Sequence, residues 1–286
     1  GQATTPTRRP RMLSTRNAIS GLIGAGFGFL AGQWLDFAPF PLNYQVLFAS
    51  AFLAGLGSIY MISRLKLPEV SRQDIKTKKR VGLREMRRLI NDAPAFRNYA
   101  IAALLFRMGM SLPVALYPIY RVRNLGATDA WLGTLLTVQR LASVVSYIVL
   151  GRLLTRRAFR KNLWISCLGM CLYPLATALA TTPEMLLIPS LMGAIFSPGM
   201  NVFMTNTLFD VSPEDERPSF VAANSFISNV VAFVAPLIGT LLIGMIGIRL
   251  AIVAGGVLRF LGGLLFWYMG AGPVPGTDGP VKEPSS

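Results

Sequence analysis

A chain of 286 residues is long enough for two soluble domains, but 52% of its residues are apolar and only 14% are charged, against about a quarter in ordinary globular proteins. The net charge of +15 suggests nucleic acid or membrane lipid as a partner, and no RNA-binding motif or interleaved aromatic pattern accompanies the basic residues. The absence of histidine removes histidine-based catalysis and histidine-ligated metals. We therefore expect a protein of the lipid membrane, with no nucleic acid partner, no metal and no cofactor.

Eight apolar runs of about 20 residues follow one another along the chain, each long enough to cross a hydrocarbon core of about 30 Å as a helix. Proline and glycine inside several runs are typical of membrane helices, because neighbouring helices can satisfy the freed backbone groups. These runs predict an all-α, polytopic integral membrane protein with eight transmembrane helices. The predicted spans are residues 18–35, 45–63, 99–120, 131–150, 163–180, 185–207, 220–242 and 250–270.

The first span, AISGLIGAGFGFLAGQWL, carries Gly24, Gly28 and Gly32 at intervals of four residues. Small residues at this spacing lie on one face of a helix and let a second helix approach closely. We expect this face to pack against another helix.

A long basic stretch, residues 64–98, separates the second span from the third. Within it Leu83, Met86 and Ile90 fall on one helical face among arginines, a pattern typical of a helix that lies on anionic lipid at the membrane surface. A solvated basic linker is the alternative. The tail at 271–286 is rich in proline and glycine and is predicted to be disordered.

The lysines and arginines are divided unequally between the two sides of the predicted membrane. Segments on the side of the two termini contain 22 of them, whereas segments on the opposite side contain only Arg121, Arg123 and Arg249. Cytoplasmic loops of membrane proteins carry such an excess of positive charge. We therefore predict that both termini are cytoplasmic and that the protein lies in the plasma (inner) membrane.

Polar residues inside the later spans recur at helical spacing and form stripes. Because polar groups in lipid are costly, the stripes are expected to face protein or a water-filled cavity. Hydrogen bonding between helices is the simpler interpretation, and a substrate cavity is the functional one. The residues predicted for such a cavity are Arg107, Ser111, Arg140, Tyr147, Ser197, Asn201 and Thr205.

The sixth span contains Pro198 and Gly199 beside its polar stripe. Proline has no backbone N–H and frees a carbonyl group, and broken helices mark the binding sites of many transporters. We predict a break in this helix, next to the cavity.

Arg107 lies about 12 Å inside the third span, at 1.5 Å per residue. All 13 acidic residues lie outside the spans or at their edges, so none is placed to neutralise Arg107 or Arg140. Either backbone carbonyls or an acid from other helices hold these two arginines, or they attract an anionic group of a substrate. Arg259, in the last span, is expected to have a structural role.

The loop after the fourth span, GRLLTRRAFRK, is similar to the cytoplasmic loop motif G-x-L-x-D-R-x-G-R-K of the major facilitator superfamily. Thr155 stands in place of the acid and Ala158 in place of the second glycine, so the acid of a gating salt bridge is lost. VSPEDERPSF, before the seventh span, is similar to the loop between helices ten and eleven of many members. The residues that match the gating-loop motif are Gly151, Leu153, Arg156, Arg160 and Lys161.

The order of two spans, a long linker and six spans also resembles this superfamily, whose members have twelve helices in two halves. The resemblance makes the eight spans helices five to twelve, with the first four helices missing. It implies a remnant of the N-terminal bundle at 1–68, a basic cytoplasmic linker at 69–98, a C-terminal six-helix bundle at 99–270 and a tail at 271–286. It also implies secondary active transport of a small-molecule solute by alternating access, around a cavity that the third and sixth spans line.

Two other functions are compatible with eight apolar spans. A complete eight-span scaffold or assembly protein would have the same helices without transport. A membrane enzyme would need histidine, paired acids or an intramembrane nucleophile with a base, and the spans contain none of these. Further spans encoded upstream in the same frame would favour the transporter.

Overall fold

The computed structural model describes residues 9–64, 91–153, 159–213 and 216–268, and this part of the chain contains helices and no β-strand. The all-helical architecture predicted from the sequence is confirmed. The predicted surface helix around residues 83–90 and the tail at 271–286 lie outside these ranges. The helices are α1 (Arg9–Phe37), α2 (Leu42–Ser63), α3 (Pro94–Ser111), α4 (Leu116–Ile119), α5 (Asp129–Leu153), α6 (Phe159–Leu179), α7 (Leu187–Asp210) and α8 (Arg217–Tyr268).

Five helical stretches of the described chain are long and apolar enough to cross a membrane. One of the five is the whole of α8, although this helix is long enough for two spans. Its 52 residues would reach about 78 Å as one straight helix, far more than the thickness of a bilayer. The backbone leaves the helical conformation at Gly247, where φ is 79° and ψ is 161°. Glycine adopts a positive φ without steric cost, so α8 consists of a first arm (217–246) and a second arm (248–268). The arms correspond to the last two predicted spans, and the count of eight spans stays a prediction.

The third predicted span is not one continuous helix. Helix α3 ends at Ser111, and the chain turns through Pro113 before the short α4, which a π-helical turn at Tyr120–Asn124 extends. The turn occurs at this point because proline has no N–H to donate to the preceding helical turn.

Helix α3 forms the centre of the bundle and packs against both arms of α8. Tyr99 of α3 and Phe203 of α7 lie against the ring of Phe266 on the second arm, at centroid distances of 5.9 and 5.4 Å. The backbones of α3 and the second arm approach closely at Gly109, where an added Cβ would lie 2.6 Å from the carbonyl oxygen of Gly255. Small residues that allow such approach are the usual basis of helix packing in membranes.

Helix α1 packs along α5, as the glycines of the first span predict. A Cβ added to Gly32 would lie 2.9 Å from the Cα of Gly133, and one added to Gly28 would lie 3.0 Å from the side chain of Leu136. A Cβ added to Gly24, in contrast, would meet no described atom of another helix within 4 Å. At the end of this contact next to the α1–α2 turn, the carboxylate of Asp36 accepts hydrogen bonds from the free N–H groups of the first residues of α5, at 3.1 and 3.0 Å.

Helix α2 makes little contact with the rest of the described protein. None of the residues in its most apolar 18-residue window is buried. A short turn joins it to α1, where Trp34 donates to the carbonyl of Asn43 and Asn43 donates to the carbonyl of Leu35, at 3.1 and 2.9 Å. The apolar surface of α2 is therefore free to contact lipid or further helices.

Candidate substrate cavity

Two prolines near the middle of the bundle leave carbonyl groups without a backbone partner. In a helix the N–H of each residue donates to the carbonyl four residues earlier, and proline has no N–H. Pro113 therefore frees the carbonyl of Gly109, and Pro174, inside α6, frees the carbonyl of Met170. A freed carbonyl in an apolar interior needs a donor from elsewhere.

Arg259 of the second arm of α8 supplies that donor to both carbonyls. Its Nε donates to Gly109 at 3.1 Å and its Nη1 to Met170 at 2.9 Å, and only 3% of the residue is exposed. Its Nη2 makes longer contacts of 3.5 Å with the carbonyl of Met110 and the hydroxyl of Tyr117. This arginine thus joins the second arm to the carbonyls that the prolines free in α3 and α6, in agreement with the structural role expected for it.

A third proline, Pro198, does not break its helix, so the predicted break is wrong. Helix α7 runs without interruption from Leu187 to Asp210, and Pro198 and Gly199 are buried within it. The freed carbonyl of Ala194 accepts a hydrogen bond from the hydroxyl of Ser143 on α5 at 3.3 Å. The next carbonyl, that of Ile195, accepts one from Ser146 at 2.6 Å. Because α5 supplies donors where the proline removes one, the helix stays intact.

A cavity of about 340 Å³ lies between α3, α4, α5, α6, α7 and the second arm of α8. Its volume is near the lower end of the range of about 300–1,000 Å³ typical of small-molecule sites. The polar lining comes mainly from α5 and from the wall that holds Arg259, and the rest of the lining is apolar or aromatic. The lining residues are Met110, Val114, Tyr117, Leu136, Gln139, Arg140, Ser143, Met170, Tyr173, Gly193, Ala194, Ser197 and Arg259.

The cavity carries positive charge without a matching acid. The exposed Arg140 and the buried Arg259 both line it, and no ion pair joins either of them to a described carboxylate. The guanidinium of Arg140 makes no hydrogen bond with another described side chain or carbonyl. A third arginine, Arg121, which does not line the cavity itself, donates to the hydroxyl of the lining residue Tyr173 at 2.8 Å. An anion is therefore the ligand that this charge favours.

Comparison with known proteins identifies the family of the chain that contains this cavity. The family model described as Major Facilitator Superfamily matches residues 1–181 and 99–286, which together include the whole chain. The chain belongs to the major facilitator superfamily. A comparison with curated proteins found no match.

Membership of the major facilitator superfamily makes the protein a multi-pass membrane transporter, and it confirms the resemblance seen in the spans and loop motif. Members of this superfamily are generally not enzymes. Among the residues that the structure describes, no three His, Cys, Asp or Glu side chains are grouped as metal ligands.

The predicted cavity residues do not all meet at one place. Arg140 and Ser197 line the cavity, whereas Arg107 points to the first arm of α8 and donates through Nη1 to the hydroxyl of Ser228 at 2.5 Å. Ser111 is half-buried at the end of α3, outside the cavity lining, and Tyr147 is 48% exposed.

Asn201 and Thr205 lie on the exposed face of α7. Asn201 donates to the hydroxyl of Ser197 at 3.4 Å, and the Thr205 hydroxyl donates back to the carbonyl of Asn201 at 2.9 Å. Apart from Ser197, these contacts do not reach the cavity. Asn201 and Thr205 therefore form a polar surface on the outside of the described bundle.

The gating-loop motif spans the connection between α5 and α6. Gly151 and Leu153 lie in the last turn of α5, and Arg160 and Lys161 lie in the first turn of α6. Arg156 lies outside the described residues. As gating residues, all five stay predictions.

The sequence reasoning missed several cavity residues, above all Tyr117, Gln139 and Tyr173, and assigned Arg259 no place at the cavity. A signal was present in the prolines. Each proline in a span marks a carbonyl four residues earlier that needs a donor, and Arg259 is a charged donor in an adjacent span. Pairing prolines with intramembrane donors predicts where helices meet, and the cavity lies at that meeting point.

A second and larger depression, of about 550 Å³, lies along one face of α1. All of its lining residues belong to that single helix, between Ile19 and Phe27. One helix cannot enclose a ligand, so we do not assign a site there.

Proposed function

We propose that this protein moves a small solute across the membrane by alternating access, and that the solute binds in the cavity lined by Arg140. The observation that carries the proposal is an unpaired cation at a cavity of ligand size, in a member of a transporter superfamily. Polar groups in membrane helices that have no protein partner usually mark a substrate or ion pathway.

The exposed polar face of α7 supports a second part of the proposal, namely that further helices cover this bundle. Asn201 and Thr205 are exposed on a helix that is otherwise long and apolar enough to span the membrane. Polar side chains at that depth need protein or water around them rather than lipid. We propose that the covering helices belong to an N-terminal half, encoded upstream, and that the 286-residue chain alone inserts but does not transport.

Alternating access can be tested without a known substrate. In the complete gene product, with Cys167 and Cys171 replaced by alanine, Gln139→Cys places one thiol in the cavity. We expect a membrane-impermeant maleimide to label this thiol in right-side-out vesicles and also in inside-out vesicles, because the cavity opens to each side in turn. Thr182→Cys, in the exposed loop before α7, is the matched control and should be labelled from one side only.

The alternative function, a scaffold that does not transport, predicts a different labelling pattern. In a static bundle, the thiol of Gln139→Cys would be labelled in only one of the two vesicle preparations, or in neither. That result would reject alternating access.

The orientation of the protein is also a proposal and rests on the unequal distribution of lysine and arginine. With both termini cytoplasmic, a cysteine at Lys79 should be shielded in intact cells and one at Thr182 should be labelled. Asn43 is unsuited to this test because it is buried and hydrogen-bonded, whereas Phe40 in the same connection is exposed. Labelling at Lys79 together with protection at Phe40 and Thr182 would reverse the topology.

A further inference from the structure

The charge of the cavity and the nature of its walls together narrow the class of solute. Arg140 has all five of its N–H donors unused by the described residues, since no hydrogen bond or ion pair joins it to them. Arg259 uses two donors in bonds of 3.1 and 2.9 Å, and its remaining contacts are 3.5 Å long. The cavity therefore combines the free donors of the exposed Arg140 with the fixed charge of the buried Arg259.

The walls on either side of the two arginines are apolar and aromatic. Tyr117 and Tyr173 meet edge to face, with ring centroids 5.2 Å apart, and Met110, Met170 and Leu136 line the same space. Methionine and aromatic surfaces suit flat or irregular apolar groups. Because these surfaces offer few hydrogen-bonding groups, they favour a ligand with an apolar body over a small inorganic anion or a sugar.

The size of the cavity limits the ligand further. About 340 Å³ is a volume that suits one small organic molecule. A planar carboxylate also matches the fork of guanidinium donors, which form paired hydrogen bonds with it.

We propose that the cavity binds a compact organic carboxylate with an apolar or aromatic body, its carboxylate at Arg140 and its body against Tyr117 and Tyr173. Arg259 contributes its fixed charge and is held in place by the carbonyls of α3 and α6. This inference rests on the proposed function in one respect, that the ligand bound here is the solute that is transported. Arg107, which does not line the cavity, is not a ligand in this arrangement.

Thermal unfolding of the complete gene product in detergent tests the proposal with matched probes. The probes are benzoate, phenylacetate, cinnamate and octanoate, each paired with its neutral amide, and phosphate as an inorganic anion. Because a ligand that binds only the folded state raises the Tm, we expect carboxylates to raise it in a saturable way. The amides and phosphate should have much smaller effects.

Variants then locate the site. Arg140→Gln should weaken carboxylate binding roughly tenfold or more, the change expected from loss of a charge-assisted hydrogen bond. Arg123→Gln, which removes an exposed arginine outside the cavity, should leave the apparent Kd unchanged. If Arg140→Gln fails to fold, Gln139→Glu serves instead, because an acid beside Arg140 should also abolish stabilisation by carboxylates.

Several results would overturn the proposal. Equal stabilisation by amides would show that charge is not recognised, and stronger stabilisation by phosphate would show that an apolar body is not needed. No effect of any carboxylate would mean that Arg140 already has an acidic partner from another part of the protein. An unchanged Kd in Arg140→Gln would place the anion elsewhere.

These outcomes are separate from the test of transport. If Gln139→Cys is labelled from both sides but no carboxylate binds, alternating access is supported and the proposal that the solute is an organic carboxylate is rejected. Carboxylate binding with one-sided labelling would keep the anion site and reject transport.

Discussion

Around Arg259 each carbonyl that a proline frees has a donor, whereas around Arg107 part of the guanidinium has no acceptor. Arg259 contacts three backbone carbonyls on two helices. Arg107 donates to the hydroxyl of Ser228, and its Nε is buried without a partner among the described residues. Both arginines lie inside apolar helices, but Arg259 is buried and Arg107 is only partly buried.

The same contrast separates two sets of uncharged polar residues. Ser143 and Ser146 donate across the contact between α5 and α7 to carbonyls beside a proline. Asn201 and Thr205 are exposed and bond only within their own helix. Polar groups that donate to a carbonyl near a proline therefore join neighbouring helices. Polar groups without a partner on another helix remain available for a ligand or a further helix.

The largest effect should follow from replacing Arg259 with methionine. The variant Arg259→Met leaves at least two carbonyls without donors, at a cost of about 1–3 kcal/mol each. We expect a large fall in Tm in detergent, or loss of the monodisperse species in size-exclusion chromatography. Arg140→Met is the matched control and should fold, because Arg140 has no described partner to lose. Equal destabilisation by the two variants would show that the hydrogen bonds of Arg259 do not make it more important for stability than Arg140.

A moderate effect is expected around Pro198 of α7. The double variant Ser143→Ala/Ser146→Ala removes both donors from α5, and hydrogen bonds between membrane helices are worth about 0.6 kcal/mol each on average. The expected loss in the free energy of unfolding is therefore about 1 kcal/mol, measurable by denaturant titration. Ser225→Ala, at an exposed position on α8, is the control. No loss in the double variant would mean that α7 tolerates Pro198 without help.

Arg107→Gln should have little effect on stability. It removes one hydrogen bond to Ser228 but also a buried charge with an unsatisfied nitrogen, and the two changes act in opposite directions. We expect the Tm to stay within a few degrees and, in the complete gene product, transport to proceed with an unchanged apparent KM. A raised KM for an anionic substrate in Arg107→Gln, with Arg107→Lys intermediate, would make Arg107 a ligand after all.

The smallest effect is expected on the exposed face of α7. Asn201→Ala removes a bond of 3.4 Å to Ser197 at an exposed position, so the Tm of the 286-residue chain should not change measurably in a fluorescence melt. A clear loss would show that this face is already covered in the isolated protein, by a second copy of the chain.

The sequence was sufficient for the helical architecture and insufficient for its contacts. Apolar runs set the spans because length and hydrophobicity are local properties, and the glycines at 28 and 32 indicated a packing face for the same reason. The break predicted at Pro198 is absent because its consequence depends on α5, a helix that lies some 50 residues away in the chain. Whether an arginine is held or free likewise depends on which carbonyls lie opposite it, and no local pattern contains that information.

The bonds of Arg259 also constrain how the protein can be made. The bond to Gly109 joins residues 150 positions apart, so α3 leaves the ribosome long before the side chain that closes its kink has been synthesised. During that interval α3 and α6 sit in the membrane with open carbonyls, and the bundle becomes complete only near the end of translation. We expect nascent chains truncated before residue 259 to be degraded quickly in pulse-chase experiments, and chains truncated after residue 268 to persist. Protection from membrane quality control would then begin only when the last helix has been synthesised.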